Sequence, residues 1–202
     1  KNAGSINGRI ELDGARATTM SGTYSNVLKI RGLSTMTVTG PTSAGDATGF
    51  TTIQNGGTID IGAGRKVSAT GEIGNGPGGS IKIGTNATLS GGGSNFYNNG
   101  TVDVAAGGTF SNAGSIDNYG GIINFNGAGA KMIAGNGSIT NWGQINVTAG
   151  DVTVTGSFDN SNGGKISLIG GNMSGVTTLN NGAGGTVDVG AGRTLSVVTF
   201  NS

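Results

Sequence analysis

Cysteine and histidine are both missing from the 202 residues, and each absence closes a class of chemistry. Without cysteine there is no disulfide framework and no thiolate-held zinc. Without histidine there is no imidazole base to activate a nucleophile. Proline occurs twice and tryptophan once, only 10% of the residues are charged, and the formal net charge is +1. Such a balance gives no strong field to recruit nucleic acid or an acidic membrane surface. No apolar run approaches the length needed to span a bilayer. The expectation is therefore no nucleic-acid partner and no membrane insertion. The chain opens on Lys1 with no signal-like segment, which reads as a processed product or an excerpt.

What is abundant is glycine, 44 residues. A collagen repeat would place it at every third position, and it does not fall there. Disorder pairs low hydropathy with high net charge, whereas Ile, Val, Leu and Phe recur here at regular spacing.

An apolar–polar–apolar triplet returns along the chain as Ile59-Asp60-Ile61, Ile81-Lys82-Ile83, Val102-Asp103-Val104, Ile123-Asn124-Phe125, Ile145-Asn146-Val147, Ile166-Ser167-Leu168 and Val187-Asp188-Val189. The steps between first members are 22, 21, 21, 22, 21 and 21 residues. About eight residues later comes a second column: Val67, Leu89, Phe110, Met132, Thr153 (flanked by Val152 and Val154), Met173 and Leu195. A third holds Ile53, Ile73, Phe96, Ile116, Ile139, Phe158, Leu179 and Phe200. Two residues after most of these stands an asparagine: Asn55, Asn75, Asn98, Asn118, Asn141, Asn160 and Asn181, each followed by glycine within three residues.

Alternation with period two marks a strand with one buried face. Three such strands per period, divided by Gly- and Asn-rich corners, describe one triangular coil. The fold class predicted is all-β, a parallel β-helix (β-solenoid) with three short strands per coil of about 21 residues. The long coil and unequal corners favour the right-handed form. Coils stacked at the spacing of neighbouring strands, roughly 4.8 Å, would make a rod about 40 Å long. The asparagine column fits a hydrogen-bonded ladder in which each amide donates to the next coil's amide oxygen.

The first fifty residues keep the theme less cleanly. Ile10-Glu11-Leu12 reads as first column, Leu28-Lys29-Ile30 and Met36-Thr37-Val38 as the next coil, and 39–49 as a protruding loop. The whole of 1–202 is expected to be one solenoid domain, with irregular coils over 1–52 and regular ones over 53–202. Ile6 at one end and Phe200 at the other fall on the same column, and neither end shows a cap. Self-association through open solenoid ends follows as an expectation.

Lines such as Asn99-Gly100-Thr101-Val102-Asp103-Val104 and Gly185-Thr186-Val187-Asp188-Val189-Gly190-Ala191-Gly192 resemble filamentous-haemagglutinin-like adhesins and autotransporter passengers. The resemblance covers nearly the whole chain, most clearly Ile53 to Ser202. It implies a secreted or cell-surface bacterial protein exported through an outer-membrane pore. It implies a structural and adhesive rod and carries over no recognition residue.

The chemical signals are few. Asp60, Lys82 and Asp103 fall on adjacent coils and could be a carboxylate pair around a lysine; opposite charges on neighbouring strands are also ordinary sheet stabilisation. The match of Gly74 to Gly79 to a dinucleotide-binding pattern lies at a corner with no helix after it. Gly182-Ala183-Gly184-Gly185 lacks the Asp of calcium-binding repeats. No enzyme activity, metal or cofactor is expected. Tyr119 and Trp142 each follow a ladder asparagine and so share one corner on successive coils. They form either an exposed patch for a glycan or partner protein or a pair of rings sealing the corner.

Overall fold

The computed structural model describes residues 2–3, 9–25, 27–39, 45–93 and 95–202, with only the backbone described at Asn2, Ala3 and Asn136. The described residues form an all-β solenoid of 24 strands in about nine coils. All the strand pairings are parallel and join one coil to the next.

The first column runs through Thr35–Val38, Thr58–Ile61, Ser80–Ile83, Thr101–Val104, Ile122–Phe125, Gln144–Val147, Lys165–Leu168 and Thr186–Val189. Its triplets stack in register: Ile59 on Ile81, Ile81 on Val102, Val102 on Ile123, and so on to Val187. The second column holds Ala47–Phe50, Lys66–Ala69, Thr88–Gly91 and Thr109–Asn112; the third holds Thr52–Asn55, Ile73–Asn75, Phe96–Asn98 and Ile116–Asn118. From Ala130 onwards the second and third columns merge into single bent strands, Ala130–Asn141, Val152–Asn160, Met173–Asn181 and Leu195–Asn201. The corner between them survives as register shifts, for example between Ile133 and Ser138.

Strict in–out alternation dictates where the core sits. In Thr101–Val104, Val102 and Val104 are buried and their neighbours half-buried. The first-column strands from Thr58–Ile61 to Gln144–Val147 bury the same two positions, whereas Thr186–Val189 leaves Val187 half-buried and Val189 exposed. Each fully buried Ile, Leu or Phe contributes about 1.5–3 kcal/mol. Phe96 and Phe110 meet edge to face inside one coil, with centroids 4.5 Å apart. Tyr24 stacks flat on Phe50 at 4.7 Å and gives its hydroxyl to the Ser21 carbonyl at 2.7 Å.

The early coils depart from the sequence reading. Ile10–Leu12 lies on the third column, not the first: Ile10 pairs with Leu28, and Leu28 with Ile53. The apolar–polar–apolar triplet looks alike in both columns, and the coil steps of 18 and 25 residues here (10 to 28, 28 to 53) break the period that would separate them. Met36 does stack on Ile59 in the first column. The loop expected over 39–49 ends earlier, because Ala47–Phe50 is a strand whose Ala47 and Phe50 are fully buried. Residues 40–44 lie outside the described residues, as does Ile6. In the second column Val154, not Thr153, pairs with Met132 and enters the core.

Candidate functional site

The asparagine column is the most regular polar feature of the interior. Asn55 Nδ2 donates to Asn75 Oδ1 at 2.8 Å. The same bond links Asn75 to Asn98, Asn98 to Asn118, Asn118 to Asn141, Asn141 to Asn160 and Asn160 to Asn181, each at 2.7 or 2.8 Å. The second amide proton goes to the first residue of the next coil's first-column strand: Asn55 to the Ser80 carbonyl, Asn75 to Thr101, Asn118 to Gln144, Asn160 to Thr186. Buried polar groups must be paired, and here every amide proton of the inner rungs has an acceptor. The ends close on themselves. Asn55 Oδ1 accepts the Gly57 amide at 3.2 Å, and Asn181 Nδ2 turns to the Gly185 carbonyl at 3.2 Å. Below Asn55 the same position is held by Ile30, so the ladder starts where the regular coils start.

A glycine column accompanies it. A Cβ on Gly100, Gly121, Gly143, Gly164 or Gly185 would collide with a backbone oxygen of the preceding coil or with a ladder amide. Glycine is needed at these sites because there is no room for a side chain. Outside the core, shorter ladders run the opposite way. Asn124 donates down to Asp103 at 2.8 Å and Asn146 to Asn124 at 2.9 Å; Asn180 donates to Asp159 and Asn201 to Asn180.

Asp60, Lys82 and Asp103 are in-register neighbours. The ion pairs among the described residues lie elsewhere, in Arg9–Glu11, Arg31–Glu11 and Arg65–Asp46. Asp103 instead accepts from Asn124. Among the described residues no three His, Cys, Asp or Glu side chains group closely enough to hold a metal ion, and no helix is long and apolar enough to cross a membrane.

The aromatic residues on the outside of the third column form a longer array than the sequence suggested. Tyr119 and Trp142 are 39% and 42% exposed, with ring centroids 4.8 Å apart at a 45° tilt. Tyr97 joins them from the coil before, stacked on Tyr119 at 5.8 Å and 19°. Sequence reasoning missed it because Tyr97 precedes its ladder asparagine, whereas Tyr119 and Trp142 follow theirs. The usable signal was that Tyr97 lies on the outward phase of Phe96–Asn98.

Beneath these rings Asp117 is only 5% exposed. Asn95 donates to it at 3.1 Å and also to the Tyr97 hydroxyl at 3.2 Å. Burial pushes the Asp117 carboxyl above its ordinary value, against the hydrogen bonds from Thr140 and Asn95. A carboxyl raised on folding makes the native state hold its proton more tightly than the unfolded chain, so stability falls as pH rises through the folded value. Asp117→Asn is therefore expected to melt higher than the wild type at pH 7 and to lose that advantage at pH 3. Thermal melts across that range check it.

The same face carries an open cleft of about 390 Å³ whose lining includes Lys29, Arg31, Gln54, Glu72, Gly74 and Tyr97. No family model, curated protein or solved structure matches the chain.

Proposed function

We propose that this chain is a non-enzymatic extracellular rod, the structural and adhesive segment of a bacterial surface adhesin. The observation that carries the reading is the unbroken buried ladder, six amide-to-amide bonds locking seven successive coils in register. A solenoid is stabilised by contacts between neighbouring repeats, and a ladder of this kind makes the stack a stiff spacer. Its sides carry few charges and one aromatic stripe, which suits lateral attachment. The resemblance of the coil sequences to haemagglutinin-like passengers supports secretion to the bacterial surface. Polystyrene beads coated with the protein are expected to adhere to epithelial cells above beads coated with albumin. Equal adhesion would remove the adhesive part of the reading, and a reducing-sugar assay on the same preparation tests the carbohydrate-active alternative.

A second reading, a filament subunit assembling head to tail by coil stacking, is favoured by the row Thr186–Val189 and Leu195–Asn201. Val187, Leu195 and Val197 point along the core columns yet are only partly covered, and Phe200 is 49% exposed. A strand row with apolar side chains pairs with whatever row continues the stack, whether further coils of the same chain or the first coil of another copy. Light scattering and electron microscopy at rising concentration should show end-to-end oligomers; monomers throughout would exclude it.

A further inference from the structure

The outer side of the third column has a gap in it. Reading its outward residues coil by coil gives Lys29, Gln54, Gly74, Tyr97 and Asp117. The corner beside it gives Arg31, Gly56, Gly76 and Asn99. Gly74 and Gly76 thus leave one coil without side chains at both positions, Gly56 bares the corner of the coil before it, and the cleft fills that space. Nothing in the backbone demands glycine at Gly74. Its φ is not in the left-handed region, and an added Cβ would meet nothing nearer than Glu72 Oε1 at 3.8 Å. Gly76 and Gly56 meet only a carbonyl oxygen at 3.4 Å. Glycine inside a strand is less favourable than alanine, because it loses more conformational freedom on folding. At Gly100 or Gly143 that cost is forced by packing; at Gly74 the fold leaves it unexplained.

The walls of the gap say what fits. Tyr97 has Tyr119 against one face, so its other face looks toward the preceding coil, where Gly74 is its register partner. The aromatic stack Trp142–Tyr119–Tyr97 therefore ends on an open ring face above an empty position. The rim opposite is polar: Gln54, Lys29, the Glu72 carboxylate and the Arg31 guanidinium, the last held by Glu11 at 2.7 Å. A ring that is apolar on its face and hydroxylated on its edge matches both surfaces. The volume lies in the range of small-ligand sites, about 300–1,000 Å³.

We propose that the Gly74 cleft is a carbohydrate subsite in which one pyranose ring of a neutral glycan stacks on the free face of Tyr97 and hydrogen-bonds to Gln54, Lys29 and Glu72. This rests on the adhesive reading and supplies its ligand class. The test is titration of the folded protein with lactose, cellobiose and N-acetylglucosamine, followed by amide NMR. At least one sugar should shift the Gly74 and Gly76 signals saturably. Gly74→Gln, which places in the gap the side chain already carried by Gln54, should keep the wild-type melting temperature and abolish those shifts. Tyr97→Ala should weaken binding about tenfold. Absence of saturable shifts with all three sugars, or binding by Gly74→Gln equal to wild type, overturns the proposal. Bead adhesion is read separately: adhesion without sugar binding sinks the subsite alone, and sugar binding without adhesion sinks the adhesive function alone.

Discussion

Gly143→Ala should lower the melting temperature by about 10 °C, the equivalent of about 3 kcal/mol in a domain of this size. The added methyl would be driven into the Gly121 carbonyl of the coil before and would lie 2.8 Å from Asn118 Nδ2. Neither neighbour can yield cheaply. The carbonyl belongs to a backbone that accepts the Gln144 amide at 2.9 Å, and the amide is a rung of the ladder. The coil must therefore lift, and lifting one corner stretches the other two columns as well. Two controls separate packing from backbone preference. Gly64 has φ +66° and open space around its Cβ, so Gly64→Ala should cost only about 1 kcal/mol, the penalty of a left-handed alanine. Gly74→Ala has neither obstacle and should be neutral or slightly stabilising. Equal losses at Gly143 and Gly64 would mean that chain conformation, not close coil contact, sets the glycine requirement.

That three-way split shows where sequence reading runs out. The columns were legible because a buried strand face imposes period two and a stacked coil imposes a period near 21, and Ile81, Val102 and Ile123 obey both. The asparagines could be placed for the same reason: a polar residue repeated on the inward phase has to find its partner in the next coil. Glycine carries no such pattern. With 44 of them in the chain, Gly143, required by a carbonyl, Gly64, required by φ, and Gly74, required by neither, look the same on paper. The cleft is defined by side chains that are absent, so only the three-dimensional stack reveals it. Tyr97 was missed through a related ambiguity, since the corner lets a residue just before the ladder and one just after it reach the same stripe. At Ile10–Leu12 the error had the opposite cause. The local alternation there does mark a strand, but coil steps of 18 and 25 residues remove the register that tells one column from another.

Asn118→Asp should be the most damaging of the conservative substitutions, and its effect should depend on pH. Asn118 is completely buried and sits mid-ladder, accepting from Asn98 and donating to Asn141 Oδ1 at 2.8 Å and to the Gln144 carbonyl at 3.2 Å. A carboxylate keeps the first bond and converts the other two into contacts between oxygens, one of them charged. An unpaired charge at such a site is expected to cost about 3–5 kcal/mol, enough to unfold a marginal domain. Protonation restores one donor, so the introduced carboxyl should titrate well above the ordinary range, and the unfolded chain should bind fewer protons than the native one. Stability of the variant must then rise as pH falls, until the wild-type carboxylates begin to lose their own interactions. The same change at Asn181 falls on a half-buried final rung whose amide meets only the Gly185 carbonyl at 3.2 Å. There it should cost about 1 kcal/mol. Urea melts of both variants at pH 4 and pH 7 decide the matter. A cooperative ladder predicts a large gap between Asn118→Asp and Asn181→Asp that narrows in acid, whereas rungs acting independently of their burial predict two similar curves.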